Sequence, residues 1–229
     1  MLRNVAALVL DGVAPFELGV ICEAFGVDRS DQNLPVLDFD VCGVEPGRIP
    51  TSMGFAIDVE HGLERLETAD LVGVPAMPRG DAYPDSALTA LRAAVDRGAR
   101  VLSVCSGAFV LGAAGLLDGR KCTTHWRFAE ELATRFPAAK VDPNVLYVDS
   151  DPIITSAGTA AGLDACLHLW RKEYGASIAL TVARRMVVQP HRDGGQAQFV
   201  ESPIQAAESQ TLASVLDYMS ARLAEELTV

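Results

Sequence analysis

The stretch Val101-Leu-Ser-Val-Cys105-Ser-Gly107-Ala-Phe-Val-Leu111 decides the fold. An apolar run of strand length meets Cys-Ser-Gly and passes directly into an apolar helical run, with no loop between them. A strand that turns into a helix this abruptly forces the residue at the apex into a strained backbone conformation, and the small residues after it let the turn close. The apex side chain then stands above the carboxyl edge of a parallel sheet, where open α/β sheets bind their ligands. Cys105 is also placed at a helix N-terminus, whose partial positive charge favours a thiolate. Cys105 is therefore expected to have a depressed pKa and to be the most reactive of the five cysteines, the others being Cys22, Cys42, Cys122 and Cys166.

Outward from this turn, strand-like and helix-like segments alternate. Arg100–Val104 is preceded by a helix over 86–97, with Leu88, Leu91 and Val95 on one face and Gly98 as its stop. Leu71–Val74 reads as a strand ended by Pro75, and Leu37–Val44 as another. At the start, Val5–Leu10 reads as a buried strand followed by a helix over 16–25. On the other side, a helix is expected over 124–136, strands over 145–149 and 153–156, and helices over 160–174 and 176–187. Such alternation implies a three-layer α/β sandwich around a mostly parallel sheet. Residues 189–207, with two prolines and Gly194-Gly195, read as an ordered loop or linker. Leu212, Val215, Leu216, Met219 and Leu223 form the stripe of a last helix.

Composition limits the function. The 229 residues suffice for one large domain, and the net charge of −11 repels phosphate backbones without a basic cluster to offset it. The apolar run Val5–Leu10 is too short for a signal peptide or a membrane span, so the chain is expected to be cytoplasmic with no membrane partner. Five widely spaced cysteines without a C-x-x-C pair point to neither a disulfide framework nor a zinc site. No metal and no cofactor is expected. Asp164 and His168 lie one turn apart on the 160–174 helix and read as a structural pair, because no third ligand is near in sequence.

Five motifs in order carry a resemblance: V-C-S-G at 104–107, G-A-A-G-L-L-D-G at 112–119, T-T-H-W at 123–126, T-S-A-G-T-A-A-G-L-D at 155–164 and A-R-R-M-V-V at 183–188. Together they resemble the ThiJ/PfpI branch of the class I glutamine-amidotransferase-like, flavodoxin-like fold. More narrowly, they resemble the N-terminal ligand-sensing domain of AraC-type transcription regulators. The resemblance implies a ThiJ/PfpI-like domain over 1–200. It also implies a linker and terminal helix over 201–229, leading to a DNA-binding domain beyond this chain, since the last residues resemble the start of that domain's first helix.

The resemblance assigns roles residue by residue. Cys105 takes the position of the nucleophile or reactive thiol, Glu17 that of the acidic residue hydrogen-bonded beside it, and His125 that of a histidine approaching the cysteine. Ala76, Met77, Ser106, Gly107 and Asp164 are expected to contact a small-molecule ligand, with the Ala76 and Ser106 amides facing the pocket. Where many enzymes of this fold have P-G-G, this chain has Pro75-Ala-Met77, which suits ligand binding better than hydrolysis. The implied function is ligand sensing and homodimerisation, with DNA reached only through the further domain. The alternative is a cysteine-dependent enzyme such as an isonitrile hydratase-like hydratase, in which Ser106 and Glu17 assist Cys105; a third reading is a redox sensor using Cys105.

Overall fold

A computed structural model describes residues 1–80, 82–192, 195–196 and 218. The chain alternates apolar strands with amphipathic helices, beginning with β1 (Asn4–Leu8), α1 (Pro15–Ile21) and β2 (Asp38–Cys42). The hairpin β3 (Gly47–Pro50) and β4 (Ala56–Val59) follows, then β5 (Leu71–Val74), α2 (Asp85–Asp96), β6 (Arg100–Val104) and α3 (Gly107–Ala113). The second half holds β7 (Lys121–Cys122), α4 (Ala129–Arg135), β8 (Lys140–Val141), β9 (Tyr147–Ser150), β10 (Ile153–Ser156), α5 (Ala160–Tyr174) and α6 (Ala176–Arg185).

The central sheet has the order β2-β1-β5-β6-β10-β9. Every neighbouring pair is parallel except β10 with β9, which run antiparallel in the register Ile153↔Ser150 to Ser156↔Tyr147. Alternation along the strands builds the layers, because successive side chains leave opposite faces of a sheet. Val5, Ala7 and Val9 face a core containing Ile21, Val104, Ile154, Cys166 and Trp170, which is covered by α1, α5 and α6. Ala6, Leu8 and Leu10 face the other core with Val72, Leu91, Val101, Phe109 and Leu132, covered by α2, α3 and α4. Both faces of the parallel strands are thus buried, and this is why β5 and β6 read as continuous apolar runs.

Three departures from the sequence reading have local causes. The first helix stops at Ile21 and continues as one wide π turn over Cys22–Gly26, held by the Trp170 indole N–H donating to the Ala24 carbonyl at 3.0 Å. The helix expected over 124–136 begins only at Ala129, after a single 3-10 turn over Trp126–Phe128. The hairpin β3–β4 pairs from Gly47↔Val59 to Pro50↔Ala56 although neither strand has an apolar run.

Residues Met1–Gln198 form one compact unit and Phe199–Val229 a second. Within the second, Tyr218 is described; it is helical and exposed. The stripe read from Leu212 to Leu223 and most of the 189–207 segment lie outside the described residues. No helix among the described residues is long and apolar enough to cross a membrane.

Candidate functional site

Cys105 has a φ of +56°. A side-chain-bearing residue rarely adopts this region, and it persists only where the surroundings over-determine it. They do so from three sides here. The Cys105 amide donates to the Ser156 carbonyl at 3.1 Å, continuing the β6–β10 pairing past the end of the strand. Its carbonyl accepts from the Ala108 amide at 3.3 Å and from the Thr124 hydroxyl at 2.8 Å. Two glycines let the backbones close in. A Cβ on Gly107 would lie 2.7 Å from the Pro75 carbonyl oxygen, and one on Gly158, whose φ is +88°, would lie 2.9 Å from the Cys105 sulfur.

The thiol is 7% exposed, as is Glu17 on α1. Burial pushes the Cys105 pKa up to about 11, and the negative charge of Glu17 adds to the rise. The Ser106 amide and the Arg79 guanidinium pull the other way without prevailing. The expectation of a depressed pKa is thereby corrected. The helix behind the cysteine is seven residues long, and its N-terminal charge is outweighed by desolvation and a like-charge neighbour. No hydrogen bond joins Glu17 to Cys105, so the two interact through space by charge. Burial also raises the pKa of Cys42 to about 12, of Cys122 to about 11, and of Cys22 and Cys166. Only Cys22 among the five is more than marginally open to solvent.

The remaining expected residues divide between the elbow and other places. The Ser106 hydroxyl donates to the Met77 carbonyl at 2.7 Å and accepts the Met77 amide at 3.1 Å, so both of its roles are occupied by backbone. Ala76 is buried beside it, its carbonyl accepting the Ala14 amide at 2.9 Å and so tying the loop after β5 to the start of α1. Met77 also walls a cavity of about 510 Å³ at the carboxyl ends of β1 and β5, with Leu10, Asp11, Arg48, Ile49 and Tyr83.

His125 and Asp164 make their contacts with groups other than Cys105. His125 caps the turn before α4, its Nδ1 accepting the Arg127 amide at 3.3 Å, and its ring packs on Trp126 and Phe128 at centroid distances of 5.5 and 5.4 Å. Burial and the Arg127 charge hold its pKa below the usual imidazole value. None of these contacts reaches Cys105. Asp164 pairs with Arg192 at 2.5 Å and lines a separate cavity of about 190 Å³ with Leu163, Leu167 and Val188. His168 pairs with Asp149 at 2.7 Å across to β9. Among the described residues, no group of three or more His, Cys, Asp or Glu side chains is arranged to hold a metal.

Sequence reasoning did not single out Gly158, Thr124 or Gln196 as site residues. The first was signalled only as part of a glycine-rich turn, and Gln196 lay in a stretch without periodicity.

With this geometry in place, three relatives and one structure bear comparison. Two HTH-type transcriptional regulators of Pseudomonas aeruginosa match: CdhR at 30% identity over 69% of this chain, and GbdR at 28% over 98%. The matched stretch spans 48% of CdhR and 62% of GbdR. An isonitrile hydratase of Pseudomonas putida is 35% identical over 62% of this chain and 62% of its own length. A solved AraC family transcriptional regulator from Pseudomonas putida shares the fold, with a TM-score of 0.69, 20% identity, and coverage of 80% of this chain and 99% of that one. The DJ-1/PfpI family pattern fits residues 3–172, from the first strand through the helix that follows Gly158, and the chain belongs to the DJ-1/PfpI family.

Proposed function

We propose that this chain is the ligand-sensing and dimerising part of an AraC-type transcription regulator, and that it takes a small molecule at the Cys105 turn. The observation that carries this reading is the state of the elbow. Its thiol is buried with a pKa near 11, and the adjacent Ser106 hydroxyl is held by Met77. A nucleophile needs its thiolate near neutral pH, and burial beside Glu17 disfavours the thiolate here. Met77, which holds Ser106, also walls the cavity of about 510 Å³ at the carboxyl ends of β1 and β5, a concave site of the kind that takes a small molecule. The matches to HTH-type regulators support the reading from outside the geometry. The homodimer is supported by exposed Phe16, Met53 and Phe55. The Ser52 amide, bonded to the Val13 carbonyl at 3.1 Å, brings the β3–β4 turn beside the start of α1, so the three lie in one neighbourhood. With a net charge of −11, the sensing part leaves DNA contact to a basic helix-turn-helix domain elsewhere in the full gene product.

A hydratase is the second reading, favoured by Glu17 and Cys105 sharing one buried site and by the isonitrile hydratase relative. Mobility shifts on upstream promoter DNA separate the two. The full-length gene product is expected to retard the DNA specifically at physiological salt, and the 229-residue chain is expected not to. Retardation by the 229-residue chain itself contradicts the proposal. So does Cys105-dependent conversion of an alkyl isonitrile and water to the N-alkylformamide, without DNA binding by either protein.

A further inference from the structure

Gln196 is the buried polar side chain that closes the described part of the chain after α6, with 2% of its surface exposed. Its carboxamide is fully engaged. Nε2 donates to the carbonyls of Val145 at 2.9 Å and Thr124 at 3.0 Å, with the Thr123 hydroxyl at 3.2 Å, while Oε1 accepts the Trp126 amide at 2.8 Å. Two carbonyls on one side and an N–H on the other fix the orientation of the amide, a demand a carboxylate or an apolar side chain cannot meet. The backbone is seated as firmly. The Gln196 amide donates to the Asn144 carbonyl at 2.7 Å, and Gly195 bridges Val145, where a Cβ would run into the Asn144 carbonyl.

This anchor is one residue removed from the elbow. Thr124, whose carbonyl receives the Gln196 amide, donates its hydroxyl to the carbonyl of Cys105 at 2.8 Å. On the other side of Cys105, Gly158 packs directly against its side chain: a Cβ at Gly158 would lie 2.9 Å from the sulfur. A group added at the sulfur towards Gly158 would have to be accommodated by movement of the Cys105 turn. The Cys105 carbonyl then takes Thr124 with it.

We propose that Gln196 is a positioning residue that couples the Cys105 turn, through Thr124, to the Gly195–Gln196 stretch after α6. Its role in regulation rests on the sensing reading above. Its physical content, a coupling of Cys105, Thr124 and Gln196, does not. Coupling between sites is reciprocal: what disturbs Cys105 loosens Gln196, and what removes Gln196 loosens Cys105. A residue that merely stabilises the fold would not make one of these events depend on the other.

The experiment uses the 229-residue chain carrying Cys22→Ser, which removes the more accessible thiol. Iodoacetamide at alkaline pH modifies Cys105: the thiolate displaces iodide, an S–CH2 bond forms, and the thiol proton goes to solvent. Peptide mapping verifies the site. Deuterium exchange is then read at the Trp126 amide, the donor to Gln196. The expected result is severalfold faster exchange after alkylation, and loss of that acceleration in a Thr124→Val background. Exchange unchanged by alkylation, or acceleration that persists without the Thr124 hydroxyl, overturns the proposal. In the reverse direction, Gln196→Met keeps the side-chain length and is expected to raise the alkylation rate of unmodified Cys105 severalfold, with an unaltered circular dichroism spectrum; an unchanged rate overturns the proposal. Neither arm contains DNA, so a failure here is distinct from a failure of the mobility shift.

Discussion

The Cys105 turn and the β9–α5 edge of the sheet both hold polar side chains and manage them in opposite ways. Around Cys105 the polar groups are buried and bonded mainly to backbone: Ser106 to Met77, Thr124 to the Cys105 carbonyl, Gln196 to the Thr124 and Val145 carbonyls. At the edge they are half-exposed and bonded to one another. Asp149 accepts from Lys172 at 2.9 Å and pairs with His168 at 2.7 Å, and Asp151 receives Arg100 at 2.9 Å and Lys172 at 3.1 Å. Burial opposes ionisation of both Cys105 and Asp149. At Asp149 it is overcome by the His168 and Lys172 hydrogen bonds and charges, and the pKa falls below the usual carboxylate value. At Cys105 the neighbouring charge is Glu17, of the same sign as a thiolate, and the pKa rises. Burial pushes both groups towards the neutral form, and the neighbours decide whether that push is overcome, as at Asp149, or reinforced, as at Cys105.

The two regions accordingly respond to opposite ends of the pH scale. Cys105 has a folded pKa of about 11 against 9.0 for a free thiol. Its contribution to stability is full below pH 9 and is lost as the pH rises towards 11. Asp149 has a depressed folded pKa, so its contribution is present above the ordinary carboxylate pKa and is lost as the pH falls through the depressed value.

Substitution should separate the regions by size of effect. Gly158→Ala combines a positive φ with a Cβ 2.8 Å from the Cys105 Cα, and should destabilise the fold by about 3 kcal/mol or more in urea unfolding. A loss under about 1 kcal/mol would mean that the turn is not clamped as described. Asp149→Asn should cost only about 1 kcal/mol at neutral pH, because its partners remain partly solvated. That difference from the unsubstituted chain should close as the pH is lowered into the acid range. A gap that stays constant with pH would show that packing, rather than charge, ties β9 to α5.

The sequence made some of this legible and not the rest, for physical reasons. The runs at Val5–Leu10, Leu71–Val74 and Arg100–Val104 revealed the parallel strands because burial on both faces demands apolar residues throughout. α5 was read from its first to its last residue, Ala160 to Tyr174. The β3–β4 hairpin was missed. Its four-residue strands carry Gly47, Arg48 and Pro50, and their pairing comes from tertiary closure rather than alternation. At the site, the strained turn at Cys105 was visible in Val-Cys-Ser-Gly, but the direction of its pKa was not, because the decisive cause is burial, which the surrounding tertiary structure sets, with the Glu17 charge adding to it. Asp164 and His168 share a helix face, yet each finds its partner elsewhere, at Arg192 and at Asp149. Spacing on a helix fixes which residues are neighbours there and leaves open what the next element brings.

The sensing proposal turns on the buried Cys105 thiol, whose pKa is raised by burial and by the Glu17 charge. The most direct measurement is the second-order rate constant of iodoacetamide at Cys105 across pH, followed by peptide mapping with Cys22 as the internal reference. Cys22 is expected to react first at neutral pH, and the Cys105 rate to climb through the alkaline range with an inflection near 11. An inflection at or below the free-thiol value of 9.0, with Cys105 labelled ahead of Cys22, would contradict it.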